Sequence, residues 1–138
     1  MSWVGRLSAP SPRGTFTATA DEVDASRLVD RLRAAGWVVG LLEGPYAPDS
    51  KSVILGSLAA AFSFPDGFGW NWDAALDCLY DLSWLGSRPG YAYVVTDEDA
   101  LERADPDAAA TLRGIFDDAS RTAWERQRSP IRLVLIGN

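Results

Sequence analysis

Three short, almost entirely apolar runs divide the chain, and each has the length of a buried β-strand. They are Trp37–Leu42, Tyr91–Thr96 and Ile131–Ile136. An unbroken apolar run of this length is typical of a strand that is covered on both faces. The segments between the runs are long enough to hold helices, and strands that alternate with helices indicate a parallel sheet. The pattern therefore predicts an α/β fold with a three-stranded parallel sheet flanked by helices.

Apolar residues at helical spacing predict the helices that cover this sheet. We expect helices up to Gly36, after Asp49 or Ser50, after Asn71, after Asp97 or Asp99, and after Asp105. Their inward-facing residues are predicted to include Val23, Leu28, Val29, Leu32, Val53, Ile54, Leu58, Phe62, Ala109, Leu112, Ile115, Phe116 and Trp124. The helix that ends at Gly36 lies before the first predicted strand, so it counts as part of an N-terminal extension.

The helix that begins at Asn71 has an unusual distribution of side chains. Its apolar stripe consists of Trp72, Ala75, Leu79 and Leu82, with Cys78 at the edge. The opposite side is predicted to carry Asp73, Asp77, Tyr80 and Trp84, and Leu76 lies between the two sides. Aromatic residues beside carboxylates on a solvent-facing surface are typical of protein interfaces. The pattern favours a binding surface.

Asp73, Asp77 and Asp81 recur every four residues, so a continuous helix would place them on one face. No Lys or Arg lies between Lys51 and Arg88 to relieve their repulsion. Each like-charge pair costs about 0.2–0.5 kcal/mol, so folding alone does not favour the arrangement, whereas a cationic partner would. Asp73 also has a purely structural explanation, because an anion near a helix N-terminus is stabilised by the macrodipole. That explanation does not extend to Asp77, which is one turn further into the helix.

Composition narrows the class of protein. A chain of 138 residues with 47% apolar residues is expected to form one domain, residues 1–138, with an ample core. The net charge of −6 argues against nucleic acid as a partner. The single cysteine, Cys78, excludes an internal disulfide and suits a reducing compartment. Without a signal-peptide-like or membrane-spanning apolar run, we expect a cytoplasmic protein with no membrane association.

Catalysis has little support in the sequence. The absence of histidine excludes Ser–His and Cys–His nucleophiles and histidine-containing zinc sites. No phosphate-binding loop motif is present, and the acidic segments fail the EF-hand pattern. Asp73 and Asp77 would lie side by side on one helix, so they would not flank a glycosidic bond. We therefore expect no enzymatic activity, no metal and no cofactor.

The acidic helix also carries a resemblance to a known family. Phe68-Gly69, Asn71, Trp72, Asp73-Ala74 and Asp77-Cys78-Leu79 match, in register, the signature of the barstar family of ribonuclease inhibitors. The resemblance extends in pieces from Val38 to the C-terminus and leaves residues 1–36 outside the core pattern. It implies a barstar-like fold and a 1:1 complex with a secreted microbial guanyl-specific ribonuclease, formed by a chain that is a monomer when free.

The resemblance also implies contact residues. Asp77 matches the carboxylate that enters the phosphate site of the enzyme, and Asp73 matches the acidic residue near its edge. The neighbouring contact positions are Asn71, Trp72, Ala74, Leu76 and Tyr80, and a further acidic contact corresponds to Asp118 on a later helix.

The chain departs from the family pattern beside these contacts. Gly67 and Leu76 stand where the founding member of the family has aromatic residues. We therefore include Gly67, Trp70 and Trp84 as flanking candidates, since the two tryptophans could restore the lost stacking surface. The alternative to ribonuclease inhibition is an acidic immunity or protein-interaction module whose partner has a cationic cleft but is not a ribonuclease.

Overall fold

The computed structural model describes residues 2–138, which form a four-stranded sheet with helices on both faces. The helices are α1 (Trp3–Ser8), α2 (Ala25–Ala34), α3 (Lys51–Ala61), α4 (Trp72–Tyr80), α5 (Glu98–Ala104) and α6 (Pro106–Gln127). The strands are β1 (Thr15–Thr19), β2 (Val38–Leu42), β3 (Tyr91–Val95) and β4 (Ile131–Gly137), and a 3-10 turn covers Ser83–Leu85.

All strands are parallel, in the order β1-β4-β3-β2. The α/β class and the parallel sheet are as predicted, but the number of strands is wrong, since the sheet has four strands and not three. The additional strand is β1, whose residue Thr15 aligns with Leu133 of β4. Phe16 and Ala18 of β1 are buried and Thr17 is exposed, as expected for a strand at the edge of a sheet.

The N-terminal segment contributes more than the single extra helix that the sequence predicts. Within residues 2–36 it supplies α1, β1 and α2, so it also completes one edge of the sheet. Asp24 is the N-cap of α2, and its side chain accepts a hydrogen bond from the Arg27 amide at 3.0 Å.

Side chains from the two faces of the sheet enter two separate cores. Along β3, Tyr91, Tyr93 and Val95 pack with α3, α4 and α6, whereas Ala92 and Val94 pack with α1 and α2. Every residue of β3 is buried, which explains why its sequence shows no polar alternation. The first of these cores supports α4 and therefore the acidic surface, by which we mean the side of α4 that carries Asp73 and Asp77.

Two inward-facing predictions need correction. Val53 lies on the solvent side of α3 and is 59% exposed, because Ile54, Leu55 and Leu58 define the buried side of that helix. Trp124 is only partly buried near the end of α6. Among residues 2–138, no helix combines the length and the apolarity needed to cross a membrane.

Candidate functional site

The acidic helix α4 begins where the sequence predicts, at an asparagine cap. Asn71 Oδ1 accepts a hydrogen bond from the Ala74 amide at 2.8 Å, and its Nδ2 donates to the Gly69 carbonyl at 3.1 Å. The cap satisfies one of the free amides of the first turn and fixes the loop before the helix. The Asn71 side chain therefore orients α4, whatever else it contacts.

The two faces of α4 are clearly separated. Ala75 and Leu79 are fully buried, and Trp72, Leu76 and Tyr80 are partly buried against the same core. Asp73 and Asp77 are exposed on consecutive turns, and Ala74 is partly exposed beside Asp73. This places Tyr80 nearer the core than the sequence suggested. The exposed surface of α4 thus consists of two carboxylates bordered by the outer edges of apolar and aromatic side chains.

The third aspartate is not on this face. The helix ends at Tyr80, and Asp81 adopts an extended conformation as its C-cap. Asp81 Oδ1 accepts a hydrogen bond from the Ser83 amide at 2.9 Å. This local bond competes with continuation of the helix, so the prediction of three aspartates on one helical face is wrong.

Trp84 is likewise not on α4, since it belongs to the 3-10 turn. Its indole N–H donates to the Phe62 carbonyl at 2.9 Å, although 43% of the residue remains exposed. The bond ties the turn to the end of α3, so Trp84 has a structural role beside the acidic surface.

The carboxylates of α4 form no ion pair within residues 2–138. The ion pairs join Arg113 to Glu98, Arg113 to Glu102 and Arg121 to Asp118. None of these involves Asp73 or Asp77, as the sequence between Lys51 and Arg88 indicated. An exposed pair of like charges that the fold leaves uncompensated is available to an external cation.

Asp117 and Asp118 lie on different flanks of α6. The Thr15 hydroxyl on β1 donates to Asp117 Oδ1 at 2.8 Å, so Asp117 faces the outer edge of the sheet. Asp118 follows about 100° further around the helix. The helix α4 contacts both α6 and α3, and α3 packs on β2 at the opposite edge of the sheet, so α4 lies on the flank of α6 away from β1. Asp118 is therefore the better placed of the two to join Asp73 and Asp77, although its Oδ1 already accepts a hydrogen bond from Arg121 Nη2 at 2.7 Å.

The loop before α4 holds two residues in left-handed backbone conformations. Gly67 has φ +90°, and Trp70 has φ 52°. Glycine enters this region freely, whereas a bulky residue there is strained. The backbone at position 67 therefore suits glycine, in a place where the founding member of the family has an aromatic residue.

Cys78 lies on α4 beside Asp77 and is partly buried. Burial, with a smaller contribution from the Asp77 carboxylate, raises the pKa of its thiol. The thiolate is the reactive form of cysteine, so Cys78 is poorly suited to act as a nucleophile.

A comparison with protein-family models identifies a family for most of the chain. The model described as Barstar (barnase inhibitor) matches residues 42–136, which is more than half of the chain. The matched region runs from the end of β2 into β4 and includes all of α4. A comparison with curated proteins finds no match.

Proposed function

The chain belongs to the barstar family, whose members are ribonuclease inhibitors and not enzymes, and from this premise we propose that it inhibits a secreted microbial guanyl-specific ribonuclease. The complex would be 1:1, and the free chain would be a monomer. The observation that carries the proposal is the pair of exposed carboxylates on α4, Asp73 and Asp77, which have no cationic partner within residues 2–138.

The mechanism is substitution of a carboxylate for a phosphate. A ribonuclease holds the RNA phosphate with cationic side chains in an open cleft. Asp77, one turn into α4, would occupy the phosphate position, and Asp73 would contact the edge of the cleft. The partly buried side chains of Trp72, Leu76 and Tyr80 would exclude water around the charge pairs, which strengthens them. A carboxylate contains no phosphodiester bond, so the helix blocks the site without being cleaved.

The rigidity of α4 supports this mechanism. The Asn71 cap fixes its first turn, and Ala75 and Leu79 anchor its inner face in the core. A side chain on a preordered helix loses little conformational entropy when it binds, and this increases affinity.

Most of the negative net charge of the chain comes from the segment that contains α4. Between Trp37 and Ser87 the only cation is Lys51, whereas the carboxylates are Glu43, Asp49, Asp66, Asp73, Asp77 and Asp81. This excess of carboxylates over cations creates a negative electrostatic potential that would guide a cationic enzyme towards α4.

We therefore expect the association rate to depend strongly on salt. Between about 10 mM and about 150 mM salt the screening length falls from roughly 30 Å to roughly 8 Å. The association rate should fall by about tenfold or more, while the dissociation rate changes little, because steering acts on the encounter. Stopped-flow mixing at several salt concentrations measures both rates. A double variant, Asp73→Asn with Asp77→Asn, should show a weaker salt dependence; an association rate that is independent of salt in the native chain would contradict steering.

The direct test of the proposed function is inhibition. Purified chain is titrated into a panel of guanyl-specific ribonucleases, barnase among them, with RNA hydrolysis as the readout. Inhibition that saturates at one chain per enzyme is the expected result. If binding is seen only to a non-ribonuclease protein with a cationic cleft, the chain is instead an immunity or interaction module.

Asp118→Ala tests whether α6 contributes to the same interface. The variant should weaken inhibition by about 1 kcal/mol, because a contact at the rim of an interface contributes less than a central one. Asp107→Ala is the matched control, since Asp107 is an exposed aspartate in the first turn of the same helix. Equal inhibition constants for the two variants would remove Asp118 from the interface.

A further inference from the structure

Trp70 is the most exposed tryptophan of the chain, at 59%, and it is held in place by other aromatic rings. Its ring centroid lies 5.1 Å from that of Phe68, which in turn lies 5.0 Å from Phe64. Phe64 and Phe68 pack against the core. The three rings form a series that leads from the interior to the surface and ends at Trp70.

The backbone of Trp70 adds an independent observation. With φ 52° it occupies a region that bulky residues rarely adopt. Strain of this kind persists only where the surrounding structure imposes it, and it is concentrated at functional sites. Among the side-chain hydrogen bonds within residues 2–138, the indole N–H that donates to the protein is that of Trp84, whereas the indole of Trp70 is held by its packing against Phe68.

Trp70 is continuous with an exposed part of α3. A Cβ atom built on Gly56 would lie 3.9 Å from Cζ3 of the indole, so the ring lies close to this helix. Val53, three positions earlier and thus on the same face of α3, is 59% exposed. We call Val53, Gly56 and Trp70 the aromatic shoulder. It adjoins the acidic surface directly, because Trp70 precedes Asn71, the cap of α4.

We propose that the aromatic shoulder is a second contact region, which binds an apolar surface beside the cationic cleft of the ribonuclease. This inference rests on the proposed function and adds a requirement for the target enzyme: its cleft must be bordered by exposed apolar side chains. A rigid, exposed tryptophan next to carboxylates has the composition of an energetically dominant interface residue. The shoulder also supplies stacking surface that Leu76, partly buried on α4, does not offer.

Charge favours the ribonuclease over a second copy of the chain as the occupant. A symmetric pair of copies would bring the same surface of each together. The neighbouring Asp73 and Asp77 of both copies would then approach one another without an intervening cation, and like charges across an interface are strongly disfavoured. A cationic enzyme meets no such repulsion.

The test uses Trp70→Gly and the ribonuclease of the panel that binds the native chain most tightly. Glycine accepts the backbone conformation of position 70, so the variant removes the indole without adding strain. We expect an affinity lower by about tenfold or more, expressed mainly in the dissociation rate, with thermal stability close to that of the native chain. Val53→Ser should reduce affinity in the same direction but less. Ser63→Gly is the matched control, because Ser63 also has a positive φ (51°) and lies in the same loop; its affinity should be unchanged.

Each other outcome overturns the inference in a different way. If Trp70→Gly binds as tightly as the native chain while Asp77→Asn does not, the shoulder is no contact region and the proposed function stands. If Trp70→Gly loses affinity only in proportion to a large loss of thermal stability, Trp70 is structural. If no enzyme of the panel binds the native chain, the proposed function and this inference are both wrong. Dimers in sedimentation velocity that disappear in Trp70→Gly would assign the shoulder to self-association.

Discussion

Replacing Asp77 with asparagine should cost more binding free energy than any other single change in α4. Asparagine keeps the shape of the side chain and removes its charge, so cationic groups buried in the complex would lose their counter-ion. The expected loss is about 2 kcal/mol or more, the range of dominant interface residues. The barnase–barstar pair is itself one of the systems in which this range was established. The expected loss of binding free energy is therefore taken from the family. Isothermal titration or stopped-flow binding against the cognate ribonuclease measures it.

The fold should tolerate this change. Asp77 is exposed, forms no ion pair within residues 2–138 and lies one turn from Asp73. Relief of that repulsion should stabilise the chain by about 0.2–0.5 kcal/mol. Asp81→Asn provides the control, since Asp81 continues the spacing in sequence but caps the turn after the helix. A native-like affinity for Asp77→Asn would remove Asp77 from the phosphate site.

Arg132→Met should produce the largest loss of stability. Arg132 is fully buried on β4, and its guanidinium donates hydrogen bonds to the carbonyls of Leu7, Ala9, Ser11 and Arg13. Burial, with a smaller contribution from Arg13, lowers the pKa of this guanidinium to about 10, so it remains charged at neutral pH. Methionine fills a similar volume but leaves all of these carbonyls without their donor. The free energy of unfolding should fall by about 3 kcal/mol.

Urea denaturation of the two chains measures this difference from the shift in midpoint at constant slope. Arg132→Lys should lose less, because an ammonium group donates up to three hydrogen bonds but lacks the planar, forked geometry of guanidinium. Below the unfolding transition, Arg132→Met should inhibit ribonuclease as the native chain does. A urea midpoint equal to that of the native chain would contradict the prediction for Arg132→Met. It would mean that water satisfies the carbonyls without any loss of stability.

The acidic helix is predictable from sequence because its determinants are local. Asn71 caps the first turn, and the spacing of Ala75 and Leu79 selects the buried face. These interactions join residues within four positions of one another, so the pattern of residues alone indicates them. The family signature lies in the same segment.

The end of α4 and the turn after it are not predictable in the same way. The helical spacing of Asp81 and Leu82 continues past Tyr80, but the hydrogen bond from the Ser83 amide to Asp81 closes a turn. Leu82 is buried, at 3% exposure, so its predicted burial is confirmed although it lies outside the helix. The position of Trp84 depends on the carbonyl of Phe62, which is distant in sequence.

The sequence pattern does not predict the strand β1, for a different reason. Its sequence, Thr15-Phe16-Thr17-Ala18-Thr19, alternates in the manner of a half-exposed strand, but only Phe16 is a large apolar residue. The side chain that secures the segment before β1 is Arg132, and an isolated arginine within an apolar run gives no indication of what it binds. The prediction for Val53 is wrong because an apolar residue of a helix does not always face the core.

The central position of β4 has a consequence for the order of events during synthesis. This strand pairs with β1 on one side and β3 on the other, yet it is translated after both. Neither neighbour can complete its hydrogen-bonded ladder until Ile131–Gly137 has left the ribosome. The core beneath α4 contains Leu133 and Leu135 of the same strand. A nascent chain would therefore hold α4 in its final position only once β4 has been made, and a stop codon before this strand would leave the acidic helix without the core that supports it, even though every residue of the helix was already present.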